Sequence, residues 1–123
     1  MLVDMKENNI IQEKSFAFAL QIVRLYKSLV SEKKEFVLSK QLLRSGTSIG
    51  ANIEEAIGGY SEKDFAHKLS ISYKETRETI YWLKLLYKSE YISKEEFDKA
   101  HLAAEEIARI LGKIQITLKN RNS

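Results

Sequence analysis

The sequence predicts an all-α fold, a single-domain, antiparallel up-down-up-down four-helix bundle, on three observations. Proline is absent and glycine numbers only 5 in 123 residues, so little interrupts regular structure. Apolar residues recur at i, i+3 and i+4 in four separate stretches. Short polar breaks carrying helix-capping residues divide those stretches, and short connections between long helices make antiparallel neighbours. The expected helices cover about 12–31, 39–57, 62–88 and 94–119. At 1.5 Å per residue they are roughly 30–40 Å long.

In the first segment, Phe16, Ala19, Val23, Tyr26 and Val30 form one apolar stripe, and Phe18, Ile22, Leu25 and Leu29 form a second beside it. Two stripes make a helix too apolar for a simple surface position. The run SEKKE ends it. The second segment starts near Ser39, read as an N-cap, and carries Leu42, Gly46, Ile49, Ile53 and Ile57 at helical spacing. Gly58-Gly59 is expected to close it in the left-handed conformation. The third opens on Ser61 with Asp64 three residues on, and buries a stripe of Phe65, Leu69, Ser72, Thr76, Ile80, Leu83 and Tyr87. The fourth opens on the capping box Ser93/Glu96. Phe97, Ala104, Leu111 and Leu118 then repeat every seven residues with Ala100, Ile107 and Ile114 between them, an a/d pattern. Ala103, Ile110 and Ile116 fall outside that stripe. The surplus apolar sets on the first and fourth helices predict a homo-oligomer, because large exposed apolar patches are rare on monomers.

Composition narrows the function. Hydrophobic residues at 44% and charged residues at 30% describe a globular protein. The absence of cysteine excludes a disulfide framework, thiolate metal sites and a cysteine nucleophile. The opening MLVDMKENN has two acids and no apolar run, so it does not read as a secretory leader, and no stretch reads as a membrane span. The expected location is the cytoplasm. Twenty basic against 17 acidic residues give a net charge of +3, a mild bias whose distribution matters more than its sum. Arg109, Lys113, Lys119 and Arg121 lie in a final stretch without an acid, whereas Lys94 to Glu106 holds five acids and two bases. The helix macrodipole favours this polarity, but its effect fades within about a turn and reaches Arg109 poorly. These four residues are the candidate nucleic-acid contacts. Antiparallel packing is expected to bring this end toward Glu54 and Glu55, with some neutralisation that Lys119 and Arg121, in the tail, escape.

The stretch RSGTSIGANIEEAIGGY (44–60) has two readings. A phosphate loop needs G-x-x-x-x-G-K-[ST] between strand and helix. Here Gly46 and Gly50 lie within the helical pattern and no lysine follows. The stretch therefore reads as a helix with one side made of small residues. Arg44 near its start and Glu54/Glu55 near its end oppose the macrodipole, so tertiary partners are expected. Pairing across the tight Gly-Gly loop sets Arg44 level with Glu75 and Glu78, and Ser48 near Ser72.

Two Asp-x-x-His pairs, Asp64/His67 and Asp98/His101, suggest the ligand spacing of di-iron bundles. Antiparallel pairing about the 89–92 loop separates the two histidines by roughly 20 Å at 1.5 Å per residue, so one cluster cannot use both. Adjacent glutamates such as Glu105/Glu106 diverge on a helix rather than converge. The chain reads as non-catalytic, with no cofactor and no metal.

LSKQLLRSGTSIGANIEEA, followed by DFAHKLSISYKETRETIYWLKLL, resembles the four-helix bundle proteins encoded by intervening sequences within bacterial 23S ribosomal RNA genes. The core S-I-x-A-N-I-x-E-A, Ser48 to Ala56, carries most of the likeness, with Gly50 where related chains often have proline. The resemblance implies a ring-like homopentamer in which the small residues allow close helix approach and Asn52 and Glu55 supply specific polar contacts. The family is also similar to the accessory variability protein of diversity-generating retroelements, a basic pentamer that binds nucleic acid and a reverse transcriptase. The expected function is a homo-oligomeric scaffold for structured RNA or DNA, with a nucleic-acid-processing protein as a further partner. The alternative is a protein–protein adaptor whose apolar grooves hold another polypeptide. Salt separates them, since phosphate contacts weaken steeply with ionic strength.

Overall fold

The structure, a computed structural model, describes residues 5–121. Four helices follow one another: α1 (Met5–Ser31), α2 (Leu38–Ile57), α3 (Glu62–Lys88) and α4 (Lys94–Arg121). Each packs on its chain neighbour, and α1 also packs on α4, leaving α1/α3 and α2/α4 as the diagonals. That is the all-α, up-down-up-down bundle. The start of the chain, read above for a leader, includes residues 1–4, outside the described residues. No described helix is long and apolar enough to cross a membrane.

The α1 helix begins well before residue 12. Its buried residues, Asn8, Ile11, Ser15, Phe18, Ile22, Leu25 and Leu29, form one continuous 3-4 repeat. Asn8 and Ser15 are polar, which hides the early half of that stripe in the sequence. Of the two stripes expected on this helix, the one through Phe18 and Ile22 faces the core, whereas Phe16 on the other is 65% exposed. The α4 stripe buries Ala100, Ala104, Ile107, Leu111, Ile114 and Leu118 as its heptads require, and Ile116 is left outside.

Helix ends divide between expectation and correction. Ser61 Oγ accepts from the Asp64 amide at 3.0 Å. Ser93 and Glu96 make the reciprocal box, at 2.9 and 3.1 Å. Ser39, by contrast, is not the N-cap of α2, which starts one residue earlier with Val37 at the cap. The Glu35 carboxylate takes over instead, accepting from the amides of Ser39 at 2.7 Å, Leu38 at 3.1 Å and Val37 at 3.3 Å. Burial pushes this carboxyl up, but those amide hydrogen bonds outweigh it and hold it below the usual value near 4.5. Nor does Gly58-Gly59 end α2 in a left-handed turn, because no glycine has positive φ. At Gly59 an added Cβ would displace the end of the Asp64 side chain and lie a tight 3.2 Å from the Ala56 carbonyl. The left-handed residues are Lys34 (φ 54) and Glu90 (φ 65), and Glu90 closes α3 in a Schellman motif with Tyr91 N–H on Leu86 O at 2.9 Å and Glu90 N–H on Tyr87 O at 3.0 Å.

Candidate nucleic-acid interface

Small residues on α2 set the helix spacing. A Cβ at Gly46 would lie 2.9 Å from both γ carbons of buried Ile22, and one at Gly50 would lie 3.3 Å from Ser15 Oγ. On the opposite flank, buried Ser45 and Thr79 hydroxyls meet at 2.9 Å, and Ser72 Oγ donates to the Ile49 carbonyl at 2.9 Å. The register thus sets Ser72 against Ile49 rather than Ser48. Asn52 Nδ2 donates within its own helix, to the Ser48 carbonyl at 2.9 Å and hydroxyl at 3.1 Å. Glu55 reaches across to Lys68 at 2.8 Å, and that hydrogen bond, then its charge, raises the lysine above its ordinary value.

Arg44 joins two acids of α3, donating from Nη1 to Glu75 at 3.1 Å and from Nη2 to Glu78. Glu78 also accepts from the Trp82 indole at 2.9 Å, and the Trp82 ring meets Tyr81 edge-on at 5.1 Å. A chain of contacts therefore runs from Arg44 through the far side of α3 to Tyr81.

Tyr81 opens onto a groove between α3 and α4 of about 930 Å³. The two helices are held antiparallel by the Tyr87–Phe97 ring stack at 4.8 Å and by the Leu83, Ala104 and Leu111 core. Tyr73, Arg77, Tyr81 and Lys84, spaced 4, 4 and 3 apart, rise from the α3 side. Arg109 and Lys113 rise from α4, while Ala108 and Gly112 keep the space between them low. The single carboxylate on the lining is Glu105.

The cations of this groove form no ion pair, whereas four others on the bundle do. Lys14, Arg44, Lys68 and Lys94 all have carboxylate partners. Among the described residues, Arg77, Lys84, Arg109 and Lys113 form no ion pair. Glu106, beside Arg109, is engaged by Lys14 at 2.8 Å; that hydrogen bond, the Lys14 charge and more weakly Arg109 hold its carboxyl below the usual range. The expected neutralisation by Glu54 and Glu55 is absent because α2 is diagonal to α4: Glu54 accepts from Gln12 at 2.8 Å and Glu55 is paired with Lys68.

Of the four residues read as nucleic-acid contacts, Arg109 and Lys113 line this groove, while Lys119 and Arg121 occupy the last turn of α4 beyond it. Arg77, Lys84 and the two tyrosines escaped the sequence reading. Their signal was Arg77, Tyr81 and Lys84 at i, i+4, i+7, masked by Glu75 and Glu78 on the neighbouring face. The histidines are apart from all this: His67 is exposed, and His101 stacks on Phe97 at 5.0 Å with Nε2 3.3 Å from Glu105, out of line for a hydrogen bond. Among the described residues no three His, Cys, Asp or Glu side chains converge as a metal site needs.

Fold and groove together define a four-helix bundle with a basic, tyrosine-lined cleft between its last two helices. The chain belongs to the 23S rRNA-intervening sequence protein family, whose pattern matches residues 7–113. It is similar to a crystal structure of an S23 ribosomal protein family member from Bacteroides thetaiotaomicron VPI-5482, described as of unknown function. The two share 51% identity and a TM-score of 0.87 over 89% of this chain and 97% of that one. No curated protein matches.

Proposed function

We propose that this chain is a non-catalytic, nucleic-acid-binding subunit of a homo-oligomer, with five copies preferred and structured RNA or DNA as the bound species. One observation carries the reading: Arg77, Lys84, Arg109 and Lys113 converge on one groove without forming an ion pair, against a single lining carboxylate, Glu105. Each phosphate such a cation neutralises releases counterions, and identical subunits multiply the effect. Five copies of a +3 chain carry about +15. Self-association is supported by Phe16 at 65% and Leu20 at 42% exposure on one face of α1, and by Leu102 and Ile116 on α4. Light scattering at micromolar concentration is expected to give several times 14.2 kDa; the mass of one chain would overturn the oligomer.

The binding test is salt dependence. Log affinity for an RNA hairpin is expected to fall linearly with log salt, and Gln at Arg77, Lys84, Arg109 and Lys113 should each reduce the slope by about 0.7–0.9. Gln at Lys119 and Arg121 should change it less. An unchanged slope in the folded fourfold variant would remove the groove from the function. The adaptor reading draws on the exposed Phe16 and Leu20, where a polypeptide partner, including a nucleic-acid-processing protein, would bind with little sensitivity to salt.

A further inference from the structure

We infer that the α3–α4 groove takes a single strand rather than a duplex, with bases stacked on Tyr81 and Tyr73 and phosphates held by the cations on both rims. This rests on the nucleic-acid reading above and specifies its ligand.

Three observations support it. The Tyr81 residue is 57% exposed and lines the groove, and among the described residues its one ring contact is a T-shaped one with Trp82, itself anchored through Glu78 to Arg44. An exposed but braced aromatic ring suits stacking, and a single strand offers base faces to it. A duplex keeps its base faces inside and presents edges and phosphates. Tyr73 and Tyr81 are eight residues apart, about 12 Å along the axis, which accommodates about three nucleotides at the 3.4 Å stacking repeat.

The third observation is Gly112. A glycine inside a helix weakens that helix relative to alanine, so it calls for a reason. Within the chain there is no steric one: a Cβ at Gly112 would meet only Tyr73 Cε1, at an ordinary 3.9 Å. What the missing side chain does is keep the groove floor open beside Tyr73. Gly46 is the contrast, since Ile22 fills its space.

The test uses the full chain with fluorescein-labelled 12-nucleotide dT and rU strands, a 12-base-pair duplex and polyglutamate, read by anisotropy and by emission of the sole tryptophan, Trp82. Single strands are expected to bind more tightly than the duplex and to perturb Trp82 emission. Tyr81→Ala should weaken single-strand binding about 5- to 150-fold, the range for loss of one stacked base, and leave duplex binding unchanged. Tyr81→Phe keeps the ring face and should restore affinity. Gly112→Leu should weaken single-strand binding with an equal or higher Tm and the same oligomer mass. Tighter binding of rU than dT, or equal binding, both support the inference; the first adds 2′-hydroxyl contacts. Duplex binding as tight as single-strand binding, an undiminished Tyr81→Ala, a changed oligomer mass in Gly112→Leu, or displacement by polyglutamate at equal charge would overturn it. Failure of every nucleic acid to bind would remove the broader reading as well, so the two failures are distinguishable.

Discussion

Replacing Glu35 with alanine tests whether one buried carboxylate organises the start of α2. Its side chain accepts from the amides of Ser39 and Leu38 at 2.7 and 3.1 Å, with Val37 more distant at 3.3 Å. These are first-turn amides that have no intrahelical acceptor. Deleting an N-cap acceptor costs about 0.5–2 kcal/mol, and hydrogen bonds to a charged group sit at the upper end, so Glu35→Ala is expected to lose about 2 kcal/mol. For a chain of this size that is a fall in Tm of about 8 °C. The pH dependence has a definite sign. Glu35 titrates below its unfolded value near 4.5, so its stabilisation is fully present above 4.5 and is lost as pH falls through the folded value. Thermal melts of both proteins at matched concentration should show the full gap at pH 7 and a smaller one at pH 3. Glu35→Gln, which accepts without charge, should fall between. A gap under about 1 °C at pH 7, or one that does not narrow in acid, would refute the capping role.

Three further outcomes are expected. Arg44 is half exposed, so a double-mutant cycle by urea denaturation should give a coupling of about 0–1 kcal/mol with Glu75 or Glu78, well short of the 3–5 of a buried pair; a larger value would contradict the exposure. Gly46→Ala should destabilise by about 1–3 kcal/mol despite the better helix propensity, because Ile22 is fully buried and its Cβ also lies within 3.3 Å; a rise in Tm would show that α1 yields easily. Glu90→Gly should stabilise by about 1 kcal/mol in calorimetry by removing the left-handed penalty, and a loss would mean that the glutamate side chain contributes more than its backbone strain.

The sequence carried the bundle clearly wherever one period dominated. The α4 heptads and the Ser61 and Ser93 caps needed nothing beyond spacing, since local hydrogen bonds and one apolar stripe decide them. It misled where polar residues occupy core positions. Asn8 and Ser15 extend the α1 stripe invisibly, and Ser39 resembles a cap although the carboxylate four residues earlier does the capping. The groove was half legible for a similar reason. Arg109 and Lys113 lie in an acid-free stretch, whereas Arg77 lies between Glu75 and Glu78 and Lys84 stands alone in an apolar run. Only the helix surface separates Glu75 and Glu78, turned toward Arg44, from Arg77 and Lys84, turned toward α4.

The ring of helix contacts bears on the order in which the protein comes into being. The α1–α2 and α2–α3 seams join consecutive segments, whereas α1 meets α4 across nearly the whole chain and shares the thinnest seam with it. Ribosomal synthesis runs from the N-terminus, so the first three helices emerge with their mutual partners before α4 exists. Until then Tyr73, Arg77 and Tyr81 border no cleft, and the core face that α4 covers is open to water. Arrival of α4 ends that exposure and creates the second bank of the groove in one step. A nascent or truncated chain lacking α4 thus holds two of the groove's four cations and has no channel.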